Sequence, residues 1–118
     1  MNNHRELIVW QKSMLLVELV YELSALFPDE EKYSLTNQVR RSAVSIPSNI
    51  AEGAGRNSKK EFRNFLGIAN GSLNELNTQL ELSKRLGFVS DEVMKKIFDL
   101  GDEVQKMIYT LINKFSNI

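Results

Sequence analysis

No cysteine occurs anywhere in the chain, which rules out a disulfide framework and thiolate metal sites and fits a reducing compartment. Histidine is nearly as scarce. His4 is the sole example and stands in an N-terminal segment expected to fray, so no His-based metal site and no Ser–His pair are expected. No apolar run approaches the ~20 residues of a membrane span. The opening residues, Met1 to Glu6, carry charge without an apolar signal core, so the expected location is the cytoplasm, with no membrane partner. Nucleotide-binding signatures are missing as well. Gly53 and Gly55 follow a helical pattern rather than a strand, and residues 53–60 lack the spacing of a phosphate loop. Carboxylates one turn apart, such as Asp99 and Glu103, read as solvated surface. These absences predict a non-enzymatic protein with no cofactor and no bound metal.

Net charge is also absent, since 15 basic residues balance 15 acidic ones, which argues against strong non-specific nucleic-acid binding by the whole surface. The balance is uneven along the chain. Residues 34–66 hold Arg40, Arg41, Arg56, Lys59, Lys60 and Arg63 against only Glu52 and Glu61, a net of +4. Residues 1–33 carry a net of −3 and residues 67–118 a net of −1, so a neutral total hides a basic middle.

What is present in quantity is helical periodicity. At 118 residues and 42% hydrophobic, the chain suits one domain, 1–118, with a real core. Leu7, Trp10, Met14, Val17 and Tyr21 step by three and four, the stripe of a first helix that Pro28 and an acidic loop should end. Ser34 is placed to cap a second, with the stripe Leu35, Val39, Ala43, Ile46 and Ile50. Pro47 lies inside that pattern and predicts a kink. Gly53 and Gly55 are expected to stop the helix. Ser58 with Glu61 has capping-box spacing for a third helix, seamed by Phe62, Leu66, Ala69, Leu73, Leu76 and Leu80. Gly67 and Gly71 on one face of it would let another backbone approach. Gly87 should end it, and Ser90 begins a fourth helix with the expected seam Val93, Ile97, Leu100, Val104, Met107 and Leu111. Short connections make neighbouring helices antiparallel, so the predicted fold is all-α, an up-down antiparallel four-helix bundle.

Two polar features sit on this frame. Arg41, Ser45, Asn49, Glu52 and Arg56 run beside the apolar stripe of the second helix, and Ser72, Glu75 and Gln79 run along the third. In an antiparallel hairpin centred near residue 57, Arg41 should meet Glu75 and Glu52 should meet Arg63. Arg41, Ser45, Asn49, Glu52 and Glu75 are therefore expected to form a structural polar network. Ser45 and Asn49 are also placed to relieve backbone groups freed by Pro47. Removing one partner of a buried charge pair costs about 3–5 kcal/mol, so Arg41→Ala is expected to destabilise more than Lys59→Ala.

The second feature is the turn Arg56-Asn57-Ser58-Lys59-Lys60, where cations meet the free amides of a helix start, a combination that attracts phosphate. Lysines there oppose the helix dipole, so helix stability does not explain them. Surplus apolar lines complete the inventory: Met94, Phe98, Ile108 and Ile112 on the fourth helix, and Leu16, Val20 and Leu23 on the first. A helix apolar on more than one face must pack on more than one side, which points to another subunit.

Three stretches resemble a known family: VWQKS at 9–13, YELSALFPDEEKYSLTNQVRRSAVSIPSNIAEGAGR at 21–56 and GSLNELNTQL at 71–80. They are similar to the four-helix-bundle proteins encoded in 23S rRNA intervening sequences. The most specific elements are Ser45-Ile46-Pro47-x-Asn49-Ile50-Ala51-Glu52-Gly53 and Gly-Ser-x-x-Glu-Leu at 71–76. That family is in turn similar to the accessory variability protein of diversity-generating retroelements. The resemblance implies a homopentameric barrel, RNA or DNA as partner, a protein partner such as a reverse transcriptase, and no enzymatic activity. It also marks a departure, because the pattern places an arginine before Gly-Ser where this chain has Asn70. Together these features predict an oligomer that contacts nucleic acid non-specifically through Arg40, Arg56, Lys59, Lys60 and Arg63. The alternative is an assembly or adaptor protein that docks a protein partner through the exposed apolar faces.

Overall fold

The pattern of stripes and stops yields four α-helices. The computed structural model, which describes residues 3–116, contains α1 (Ile8–Ser24), α2 (Leu35–Ala54), α3 (Lys59–Arg85) and α4 (Asp91–Ser116). Single 3-10 turns, His4–Glu6 and Asp29–Glu31, precede α1 and α2. No strand occurs among the described residues, so the fold is all-α. Each helix packs on its chain neighbours, and α1 also packs on α4, which closes the up-down bundle and leaves α1 diagonal to α3. The bundle measures 46 × 23 × 20 Å.

Local chemistry accounts for most of the ends. Ser58 Oγ accepts from the Glu61 amide at 3.1 Å, the forward half of a capping box at the start of α3. Gly87, at φ +79°, ends α3 in a Schellman motif: its amide reaches Lys84 O, and the Phe88 amide reaches Ser83 O, both at 3.0 Å. The Val93 amide donates to Ser90 Oγ at 3.4 Å. Ser34 occupies the capping position of α2 without using its hydroxyl, and Glu31 Oε1 accepts from the Leu35 amide at 3.4 Å in its place.

The stripes of α2 and α3 are buried as predicted, from Leu35 to Ile50 and from Phe62 to Leu80. Those of α1 and α4 are rotated. Val9, Ser13, Leu16, Val20 and Leu23 are the core line of α1, while Met14 and Tyr21 are exposed. The residues expected to be surplus on α1 are therefore its core, and the expected stripe is its flank. Ser13 can be buried because its hydroxyl donates to Trp10 O at 2.8 Å. On α4 the core line is Met94, Ile97, Gly101, Val104 and Ile108, with Val93 exposed. Gly101 fits there because Leu73 Cδ1 fills the adjoining space, 3.6 Å from where a Cβ would stand.

Two glycine expectations also change. Gly53 does not stop α2. It lies inside the helix and is buried, where α3 crosses closely enough that a Cβ would stand 2.7 Å from Phe65 Cβ. Gly55 is the residue that follows the helix. A methyl group at Gly67 or Gly71 would meet nothing within 4 Å, so no backbone of the same chain uses that face. Gly67→Ala and Gly71→Ala are each expected to stabilise the protein by about 0.5–1 kcal/mol through helix propensity alone. Urea midpoints at fixed protein concentration test this, and a loss of stability would mean that another molecule covers the face.

Candidate nucleic-acid interface

The basic turn is built by the close crossing of α2 and α3. Gly55 to Ser58 make the connection, and Lys59 and Lys60 form the first turn of α3, both exposed. Neither lysine is paired with a carboxylate among the described residues. Arg56 is restrained. One guanidinium NH2 donates to Glu52 Oε1 at 2.7 Å, Nε lies 4.0 Å from Glu61 Oε2, and the group stacks 4.9 Å from the Phe65 ring centre. Arg63 lies one turn further along α3 and is half-buried. Four cations against Glu52 and Glu61 leave this end of the bundle positive.

Arg40 is not part of that cluster. At about 1.5 Å per residue of helix, the 16 positions between Arg40 and Arg56 place them about 24 Å apart. Arg40 ties α2 to the end of α1 instead: its Nε donates to Ser24 Oγ at 2.8 Å, an NH2 reaches Tyr21 O at 3.4 Å, and the guanidinium lies 4.5 Å from the Tyr21 ring centre. These contacts cap a helix end that carries partial negative charge. Arg40→Ala is expected to cost about 1–2 kcal/mol, against less than about 0.5 kcal/mol for the exposed Lys59→Ala. Equal melting temperatures for the two variants would remove this role.

The polar network forms, with different membership. Ser42, which the sequence pattern did not single out, is the buried centre: its hydroxyl lies 3.0 Å from Glu75 Oε1 and 2.9 Å from Gln79 Oε1. Ser45 and Ser72 hydroxyls pair at 2.7 Å across the same seam. Asn49 Nδ2 donates back to Ser45 O at 2.8 Å and to Ser45 Oγ at 3.0 Å. The carbonyl that Pro47 deprives of an amide is that of Ala43, so Asn49 does not serve the role predicted for it. Pro47 is buried and α2 runs through it as one helix. The expected Arg41–Glu75 pair is absent: Arg41 is exposed and lines a surface groove with Tyr21, Asn37 and Val44. Glu52 pairs with Arg56 rather than Arg63.

A second amide cluster joins α3 to α4. Gln105 Nε2 donates to Asn70 Oδ1 and Asn74 Oδ1, both at 3.0 Å, and Asn70 Nδ2 donates to the Tyr109 hydroxyl at 3.3 Å. Asn70 is thus a hydrogen-bonded link between helices. His4 sits in the first 3-10 turn with its ring edge-on to Trp10, centroids 5.1 Å apart, rather than in an irregular tail. Among the described residues no group of three metal-ligating side chains comes together, and no helix is long and apolar enough to cross a membrane.

The family of 23S rRNA-intervening sequence proteins matches residues 5–110, nearly the whole bundle. The chain belongs to this family. Within that match lie both the α2–α3 seam and the basic turn. A solved structure from Bacteroides thetaiotaomicron, described as a protein of unknown function from the S23 ribosomal protein family, is similar at 29% identity with a TM-score of 0.82. The similarity covers 89% of this chain and 98% of that one. No curated protein matches the sequence.

Proposed function

We propose that this family member is a non-enzymatic, cytoplasmic homo-oligomer, a ring of five as the resemblance implies, that binds RNA or DNA without sequence preference through the α2–α3 turn. The observation that carries the reading is the pair of exposed lysines at the start of α3, held beside Arg56 and unpaired among the described residues. Phosphate contacts need cations free of internal partners, and free amides at a helix start add to them. One turn is a weak site. Repeated around a ring, several turns acting on one strand gain avidity without any new contact.

The test is binding of a fluorescent single-stranded RNA by the native protein and by Arg56→Ala/Lys59→Ala/Lys60→Ala, across a salt series, with oligomer mass measured in parallel. The expected result is salt-sensitive binding that the triple variant loses while its mass is unchanged. No binding by the native protein at low salt overturns the reading and leaves the apolar flanks to a protein partner.

A further inference from the structure

The flanks of α1 suggest how copies of this chain meet. On one side, Trp10, Met14 and Val17 of α1 form a shallow groove with Val44, Pro47 and Ala51 of α2. On the other, Leu19 of α1 and Leu26, just past its end, form a second groove with Val93 and Ile97 of α4. Val44 is 40% exposed, Val93 43% and Leu26 65%, so both grooves hold apolar side chains that the bundle itself does not cover. A narrow strip of α1, including Gln11, Leu15 and Glu18, separates them.

Charge distinguishes the two grooves. The α1–α2 groove continues past Tyr21 to Arg40 and Arg41, and none of its lining residues is a carboxylate. The α1–α4 groove is rimmed by Glu22 and Glu92, with Lys96 the only cation. If the α1–α2 groove met its own copy across a two-fold axis, Arg41 would find no acid among the residues that line it. Meeting the other groove, it finds two. The geometry points to a head-to-tail contact in which the α1–α2 groove of one copy receives the α1–α4 groove of the next, with Arg41 facing Glu22 and Glu92. Two unlike faces on one chain are what a closed ring beyond a dimer requires. This contact deepens the oligomeric half of the proposed function and rests on it.

Two substitutions at exposed positions test the contact: Val44→Arg disables the first face and Val93→Glu the second. The native protein is expected to sediment as an oligomer and each variant as a monomer, with unchanged helical circular dichroism. Mixed in equal amounts, the variants should form a one-to-one dimer and nothing larger, because each retains one working face. Trp10, the chain's one tryptophan, should shift its emission to the blue on mixing. If one variant stays assembled while the other dissociates, a single face meets itself and the pairing is wrong. If both stay assembled, neither groove is the interface. A monomeric native protein overturns the oligomeric reading and this contact together; RNA binding by a single turn, then without the avidity of a ring, is read separately by the salt series. Should either variant lose its helical signal, Arg41→Glu and Glu92→Lys take their place. Each is then expected to weaken assembly alone and to restore it when both are in one chain, and failure of that rescue also overturns the pairing.

Discussion

Gly53→Val is expected to cost about 3 kcal/mol or more, at the upper end of what overpacking a core produces. The Cβ of any side chain at this position would stand 2.7 Å from Phe65 Cβ, 2.9 Å from Phe62 Cδ1 and 3.3 Å from Phe62 O. None of these neighbours can yield cheaply. Phe65 Cβ is one bond from the α3 backbone, and the Phe62 ring is 1% exposed with Phe115 packed on it at a centroid distance of 5.1 Å. The short connection from Gly55 to Ser58 prevents α3 from simply moving away. Gly53→Ala meets the same contacts but recovers up to about 1 kcal/mol of helix propensity, so its net loss should be smaller. Gly55→Ala is the control, because a Cβ there meets only carbonyls of its own helix at 3.6 and 3.7 Å. Urea unfolding at fixed concentration separates the three, and a Gly53→Val midpoint equal to that of Gly55→Ala would defeat the argument. Since the same crossing positions Lys59 and Lys60, Gly53→Val should also weaken RNA binding, whereas Gly55→Ala should not.

The sequence was most legible where a helix has one apolar side. α2 and α3 each show a single stripe bordered by polar residues, and every residue of both predicted stripes is buried. α1 gave the wrong face because apolar side chains flank its core on both sides, so several three-four series fit equally well. The true series passes through Ser13, whose burial depends on a hydrogen bond to its own helix that no hydropathy pattern reveals. α4 was legible in part: Ile97 and Val104 of the expected seam are buried, but the core line also passes through Gly101, which contributes no apolar signal. In the polar seam the miss was one residue. Arg41 and Ser42 are equally plausible partners for Glu75 by hairpin arithmetic, yet one position turns a side chain by about 100° around the helix. The spacing of Ser42, Ser45, Asn49 and Glu52 was a usable clue, since it also steps by three, four and three. It places a small hydroxyl, rather than a guanidinium, at the narrow contact with α3. The family, by contrast, was readable from short motifs, because the match over residues 5–110 contains them all.

The salt dependence of RNA binding should be steep and should depend unequally on the basic residues. Two neighbouring turns on one strand, each offering the unpaired Lys59 and Lys60, would neutralise about four phosphates and give a log–log slope of about −3 for single strands. Raising salt from about 50 to about 200 mM would then weaken binding roughly 50-fold. Within the turn the two lysines should matter more than Arg56, whose guanidinium must leave Glu52 and Glu61 to reach a phosphate. Lys59→Ala should therefore flatten the slope more than Arg56→Ala, and Glu52→Gln should tighten binding by releasing the arginine. Arg40→Ala should leave the slope unchanged, because that side chain is committed to Ser24 and Tyr21 at the far end of α2. A slope near zero for the native protein would mean that phosphate is not what the turn contacts. Equal losses for Arg40→Ala and Lys59→Ala would place the interface along the whole of α2 instead of at its end. The Glu52→Gln result is the most discriminating. Removing a carboxylate raises the positive charge of any site nearby, but only a site that uses Arg56 directly gains a full extra contact, seen as a slope steeper by about 0.7 per engaged turn.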